Sequence, residues 1–426
     1  MDGYAVHSSS TFGASESSPA WITVAGAIAM GDVPDFSIES GQSAKISTGG
    51  MLPDGADSVV MVEHTESVDA TVEIYKSVAP LQNVIDSDED FKKGEKILEA
   101  GTLIRPQEAG LAAALGICEL PVYMIPRVGI ISTGDEVVPV DQAPPPGKIR
   151  DINSHTLASL VIQAGAQPVQ YGIIRDSEKQ LSEVCARALD ETDMVLVSGG
   201  SSVGTRDFTV DAISSLKDTR ILVHGISISP GKPTILAKSA IARSDIAKPA
   251  LDGSCSAEFG LDGSDSAKSS LAGSDLAESG FVDSGSAGSG LVDGTRVKPV
   301  WGLPGHAVSA MVVFRIVVLP FLNQIKGLTS YYGTAHVDST AHGATGFSPH
   351  NIRIPAKLAR NVASAQGRTD FIRVRLVREK NELLAVPVLG KSGLIRTMVM
   401  ADGLLEIGEN IEGLEKDQIV NIIPMF

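Results

Sequence analysis

Aromatic residues make up only 4% of this 426-residue chain, so any core must rest mainly on Val, Ile, Leu and Ala. Cysteine is almost missing: Cys118, Cys185 and Cys255 are the only three, and no Cys-x-x-Cys spacing occurs. That argues against a disulfide framework and a thiolate metal site, and suits a reducing cytoplasm. Positive charge is also short, with 35 Lys and Arg against 51 Asp and Glu, a formal net charge of -16. A surface so acidic repels a phosphate backbone and an anionic bilayer, so neither nucleic acid nor membrane is an expected partner. A small anion remains admissible, because one local Lys, Arg or helix N-terminus can hold it.

Long apolar runs are lacking too. The longest, Ala307 to Leu322, is interrupted by Arg315 and Pro320. A bilayer span needs about 20 predominantly apolar residues, so this run is predicted to be a buried helix. No basic region precedes an apolar stretch at the N-terminus, so no signal peptide is read there. The eight histidines show no zinc-ligand spacing on a helix, and no Gly-x-Ser-x-Gly elbow stands out. A phosphate-binding Walker loop fails twice. Gly231-Lys232 is followed by Pro233 where Ser or Thr is required, and Gly390-Lys391-Ser392 has Ala385 where the leading Gly belongs.

What is present is ordinary in bulk, 43% hydrophobic and 20% charged, in a length that suits two to four domains of about 100–200 residues. Residues 8–81 read as short strands, for example Trp21-Ile-Thr-Val, Ala44-Lys-Ile-Ser and Ser58-Val-Val-Met-Val, separated by Gly, Pro and Asp turns. Residues 82–125, taken with 1–7, are predicted to form a mixed linking domain, with a strand around Ile97 and a helix from about Pro106 to Leu115. From 126 to 325 the pattern alternates. Val128–Ile131, Pro168–Ile174 and Met194–Val197 read as strands; Ser154–Ala164, with Ser154 at the N-cap, and Glu178–Leu189 read as helices. Such βαβα rhythm predicts a mostly parallel sheet in an α/β domain. Within it, residues 240–297 repeat fragments such as Leu251-Asp-Gly-Ser and Leu261-Asp-Gly-Ser in a Ser, Gly, Ala and Asp background. Too few apolar positions recur to bury a stripe, so a flexible low-complexity insertion is expected. Val300-Trp-Gly-Leu resumes the sheet, and 326–426 reads as a small β domain.

In open α/β sheets ligands gather where strand ends enter loops. Four such loops stand out. Ser132-Thr-Gly-Asp-Glu136 follows a strand; its acidic pair is either a solvated turn or a set of oxygen ligands for a hard cation. In Lys148-Ile-Arg-Asp-Ile-Asn153, Asp151 and Asn153 read alone as helix caps, as does Asp176 after its strand. Ser198-Gly-Gly-Ser-Ser-Val-Gly-Thr-Arg-Asp207 has glycines that let backbone N–H groups approach a phosphate, followed by a helix near Asp207. Finally, Ser229-Pro-Gly-Lys232-Pro-Thr presents Lys232 between two prolines, either to an oxyanion or simply to solvent. Read from residues alone, the central domain binds a phosphorylated ligand beside an acidic, metal-capable cluster.

At these positions the chain resembles the molybdopterin molybdenumtransferases, the insertases related to the gephyrin E domain. The pieces are Met1-Asp-Gly-Tyr-Ala-Val6, Ile46-Ser-Thr-Gly-Gly50, Pro53-Asp-Gly-Ala-Asp-Ser-Val-Val60, Ser132–Glu136, Ser198–Gly204, Pro230-Gly-Lys-Pro233 and Gly302-Leu-Pro-Gly-His-Ala-Val-Ser309, in that order. The resemblance implies a homodimer of elongated, multi-domain subunits: a central α/β domain flanked by an N-terminal β-rich domain, a small mixed segment and a C-terminal β domain. It also implies a reaction in which adenylylated molybdopterin and molybdate react with Mg²⁺, molybdenum joins the dithiolene sulfurs and AMP leaves. The adenylyltransferase of the same pathway is the implied protein contact.

Carried over by position, Asp2 and Thr48 would line the site from the N-terminal part. Asp90 and Asp176, with Glu136 and Asp207 as metal ligands, would form the acidic set, and Lys232 would meet phosphate or the oxyanion. Gly199, Gly200, Ser201 and Gly204, Asp151 and Asn153, and Pro230 and Gly231 would hold the cofactor, completed by Arg373 and Ser392 against a partner subunit. Three departures are visible. Relatives have a segment ahead of the Met-Asp-Gly motif with which this chain begins. Ile85 and Asp88 stand where an Arg and a Gly are usual, and Pro-Gly-His-Ala replaces Pro-Gly-Asn-Pro at 304–307.

Overall fold

The computed structural model describes residues 2–87, 89–199, 208–241, 291–292, 295–328 and 352–425. The chain divides into two units, Met1–Leu98 and Glu99–Phe426. In the first, six strands make one mixed sheet in the order Ser58–Met61, Gly3–Val6, Gln42–Ile46, Ala20–Ile28, Thr71–Ile74, Thr65–Val68. Alternation sends Tyr4 and Val6 into one apolar cluster and Ala5 into another. Two corrections follow. Gly3–Val6, expected in a linking domain, belongs to this β sheet, since it pairs with strands on both sides. Around Ile97 no strand forms; Gly94 and Gly101, at φ +85° and +84°, turn the chain on either side of it.

In the second unit a helix, Pro106–Ala114, precedes the α/β sheet. The sheet order is Gln167–Ile174, Arg127–Thr133, Met194–Ser198, Thr295–Leu303, Ile235–Ile241, Thr219–His224. The first four are mutually parallel, and the Ile235–Ile241 strand runs against them. Both faces are covered. Val128, Ile130, Met194, Leu196 and Trp301 pack against the helices Asn153–Gln163 and Ala307–Ile325, while Ile131, Val195, Val197 and Val300 pack against Glu178–Glu191 and Phe208–Ser214. This explains the unbroken apolar strand sequences, each fully buried large side chain contributing about 1.5–3 kcal/mol.

The apolar run Ala307–Ile325 is indeed a mostly buried core helix. It takes a π turn at Phe314–Val318 just ahead of Pro320, whose missing N–H and ring preclude a regular α-helical bond there. Arg315 is buried and donates from Nε to Pro424 O at 3.2 Å. The N-cap expectation at Ser154 is corrected: the helix starts at Asn153, and Asp151 Oδ1 accepts the Ser154 N–H at 3.1 Å. At the ends of the expected insertion 240–297, Ala240 and Ile241 pair with Val297 and Arg296 in the sheet. Residues 242–290, with the low-complexity repeats, lie outside the described residues.

The C-terminal strands close a five-stranded barrel: Thr369–Glu379, Glu382–Pro387, Ile354–Leu358, Ile419–Pro424 and Gly403–Ile407, which returns to pair with the first. It is fastened to the α/β domain in two ways. The short strand Ile228–Ser229 pairs with Thr369 and Asp370, and Val308 and Val312 of the long helix share a core with Phe371, Leu404 and Ile423. Those attachments bring barrel residues to the same cleft as the strand-end loops of the sheet.

Candidate functional site

Where the C-terminal ends of the parallel strands meet the barrel there is a cleft of about 870 Å³. Parallel strands end on one edge, so the loops after Thr133, Ile174, Ser198 and Leu303 converge there. Of the residues expected to act, Glu136, Asp151, Asn153, Asp176, Gly199, Pro230, Gly231, Lys232, Arg373 and Ser392 all line this one cleft. Arg373 and Ser392 thus reach the cleft of their own chain.

The acidic residues are tightly bonded. Asp151 is buried; its Oδ1 accepts from Ser132 Oγ at 3.0 Å as well as from the Ser154 N–H. Asp176 accepts from Thr133 Oγ1 at 2.9 Å, and its N–H reaches Asp135 Oδ1 at 3.4 Å, so it ties two strand ends together and does not cap the following helix with its side chain. Asn153 Nδ2 donates to Ser198 Oγ at 2.6 Å and to Gly305 O at 2.8 Å, which leaves its Oδ1 buried without a partner. An orphan acceptor at a cleft wall costs about 1–3 kcal/mol, a cost a bound donor removes. Gly199 shows why the glycine loop begins as it does: at φ +113° an added Cβ would stand 2.1 Å from Thr133 O.

The same cleft has cationic lining residues. The Lys232 loop enters through a cis Ser229–Pro230 peptide, and the Ile226 and Thr234 N–H groups both donate to Lys232 O at 2.9 Å. Gly231 lets this loop lie flush on the long helix; a Cβ there would meet Val313 Cγ2 at 2.6 Å. Lys232 itself is exposed. Arg373 is buried and donates to Gly390 O at 2.6 Å, its Nε has no partner, and burial lowers its guanidinium below the ordinary value. A buried, incompletely satisfied guanidinium is an oxyanion receptor by its chemistry.

Asp2 and Thr48 belong to the first unit and pair with each other: Asp2 Oδ1 accepts from Thr48 N–H at 2.7 Å and from Thr48 Oγ1 at 3.0 Å. Those bonds, the backbone one foremost, hold the Asp2 carboxyl below its usual range. Asp90 is exposed in the same unit. Gly200, Ser201, Gly204 and Asp207 lie outside the described residues. Among the described residues no three acidic, His or Cys side chains converge as a metal site, so Glu136 stands as the only described member of the expected metal pair.

Other lining residues were missed. Arg368, in a turn ahead of a barrel strand, has no local signature in sequence. His306 was set aside with the other histidines. It is exposed, lines the cleft, and its Nδ1 is 2.8 Å from Ser392 Oγ. The only available signal was its place in the Gly302–Ser309 motif.

Residues 1–116 match the MoeA N-terminal region (domain I and II), 129–324 a probable molybdopterin binding domain, and 355–425 the MoeA C-terminal region (domain IV). A putative molybdopterin biosynthesis protein of Methanocaldococcus jannaschii is 32% identical over 99% of this chain and 84% of its own length. Molybdopterin molybdenumtransferase 2 of Mycobacterium tuberculosis is 29% identical over 96% of this chain and 84% of its own. The crystal structure of a molybdopterin biosynthesis MoeA protein from Pyrococcus horikoshii is similar at 30% identity and a TM-score of 0.67, covering 100% of this chain and 86% of that one.

Proposed function

Because this chain belongs to the molybdopterin molybdenumtransferase family, enzymes of molybdenum-cofactor biosynthesis, we propose that it inserts molybdenum from molybdate into adenylylated molybdopterin and releases AMP. The observation that carries this reading is one cleft lined both by the acids Glu136, Asp151 and Asp176 and by Lys232, Arg373 and Ser392. A tetrahedral dianion fits the last three, where a flexible ammonium, a fork-shaped guanidinium and a hydroxyl offer complementary donors. Tungstate, a dianion of similar shape, fits the same donors.

Release of AMP breaks a phosphoanhydride: an oxygen of water or molybdate attacks phosphorus, and the departing phosphate takes the bond electrons. Such a step depends on positioning and on neutralising charge. Lys232 supplies mobile positive charge, Arg373 holds an oxyanion from a buried position, and the tied Asp151 and Asp176 keep the strand-end loops in place. Asn153 Oδ1 is free to accept from a ligand N–H or O–H. Mg²⁺ would neutralise the leaving phosphate when bound, with Glu136 and Asp207 as the residues that would hold it; the described residues alone do not complete a magnesium site, and the roles above do not pass through the ion. Soft sulfur ligands for molybdenum come from the dithiolene, so no cysteine is required.

The same reading includes a cytoplasmic homodimer that meets the pathway's adenylyltransferase. A run of exposed apolar side chains, including Leu103, Leu115, Ile117, Val122, Met124 and Ile125, supports self-association. The experiment is direct. The purified protein is incubated with adenylylated molybdopterin and Mg²⁺, with and without molybdate, and AMP is followed by chromatography. Molybdate-dependent AMP release supports the insertase; tight pterin binding without release under either condition would make the chain a binding scaffold.

A further inference from the structure

His306 sits at the N-cap of the long buried helix, with extended backbone (φ -72°, ψ 123°) and no side-chain bond to the helix it caps. Its imidazole instead bonds to the barrel. Nδ1 meets Ser392 Oγ at 2.8 Å, joining residues 86 apart in sequence and linking the α/β domain to the Gly390–Gly393 loop of the barrel. The ring also lies against that loop, 3.9 Å from where a Gly393 Cβ would stand. The other described anchor of the loop is Arg373, through Gly390 O. Both tethers end on residues that line the cleft.

A hydroxyl has one proton to give. When Nδ1 of a neutral imidazole carries no proton, Ser392 must donate to it, and only its lone pairs remain for the cleft. These repel an oxyanion. When Nδ1 carries a proton, the imidazole donates, the serine oxygen accepts, and the Ser392 O–H is released. We propose that His306 is a positioning residue for oxyanion binding: a proton on Nδ1, carried by one neutral tautomer and always by the imidazolium, leaves the Ser392 hydroxyl free to donate to a tetrahedral dianion in the cleft. This rests on the insertase reading above, and deepens it by naming what orients one of the oxyanion donors.

The charged groups that line the same cleft as His306 are Glu136, Asp151, Asp176, Arg150, Lys232, Arg368 and Arg373, and Lys391 adjoins Ser392 in sequence. None of these forms an ion pair with His306 among the described residues. A bound dianion adds negative charge to the cleft, so binding and protonation of His306 reinforce each other, and by linkage each raises the other equally.

Molybdate alone is the probe. Its affinity is measured by calorimetry from about pH 8.5 to about pH 6, across the ordinary imidazole range, in the wild-type protein and in His306→Asn. Asparagine donates an amide N–H at every pH. The wild type is expected to tighten by about tenfold toward low pH, the worth of one charge-assisted hydrogen bond, and His306→Asn to stay flat within about twofold. Identical pH profiles would overturn the inference while leaving the insertase intact; molybdate binding to neither protein at any pH would remove both. A second reading does not depend on the variant binding well. The His306 imidazole resonance, assigned by its absence in His306→Asn, should titrate at higher pH with molybdate bound, and an unmoved midpoint would also overturn the proposal.

Discussion

Replacing Gly199 by alanine tests whether the floor of the cleft depends on two strand ends meeting at backbone distance. The residue follows the Met194–Ser198 strand at φ +113°, and its Cβ would lie 2.1 Å from Thr133 O, in the neighbouring parallel strand. Gly147 provides the comparison, because at φ +84° it has nothing within 4 Å of the added atom. Gly147→Ala therefore carries only the left-handed backbone cost, about 1–2 kcal/mol. Gly199→Ala must in addition push a strand end by about 1 Å against a packed core, for a total of roughly 3–5 kcal/mol. The chain's two tryptophans allow a clean assay, since Trp21 belongs to the first unit and the buried Trp301 to the α/β core. Urea unfolding followed by fluorescence in a Trp21→Phe background then reports the second unit alone. Equal destabilisation by the two substitutions would refute the close approach, and with it the account of why a glycine opens this loop.

Lys232→Ala should leave stability within about 0.5 kcal/mol, as for most exposed positions, yet lower molybdate-dependent AMP release by about a hundredfold or more; a large fall in melting temperature would make the lysine structural instead. Arg373→Met removes a buried, incompletely partnered cation together with its bond to Gly390 O. Those effects oppose each other, so a stability change under about 2 kcal/mol is expected, with molybdate affinity weakened at least about tenfold; unchanged affinity by calorimetry would exclude Arg373 from the oxyanion site. Burial pushes the Cys185 thiol up to about 12 from its ordinary 9.0. The folded state thus holds that proton more tightly than the unfolded chain, so its contribution is complete below about pH 9 and is lost as pH rises toward about 12. Cys185→Ala should flatten this part of the alkaline stability curve, and an unaltered slope would contradict the assignment.

Much of the architecture was legible because hydrophobic periodicity is a local signal. Unbroken apolar runs such as Met194–Val197 announced strands covered on both faces, and the helices Glu178–Glu191 and Ala307–Ile325 followed from their patterns. The strand around Ile97 was misread, because two short apolar residues satisfy the pattern without a partner to pair with. Ser154 was misplaced as an N-cap because Asp151, three residues earlier, takes the N–H that a cap would serve. Gly3–Val6 was assigned to the wrong domain since its pairing partners, Gln42–Ile46 and Ser58–Met61, are remote in sequence.

The site divides in the same way. Sequence by itself determined the loop chemistry: Gly199 and Gly231 where backbone must approach closely, Lys232 between prolines, and carboxylates after strands, because each depends on residue type within a few positions. Only the tertiary structure decided that Asp176 fastens Thr133 and Asp135, that Arg373 is buried with an idle Nε, and that His306 reaches Ser392 across 86 residues. Those are properties of juxtaposition. They arise when parallel strands deliver four loops to one edge and a closed barrel is held against them by a shared core, and no local pattern encodes which distant hydroxyl, carbonyl or charge will be waiting there.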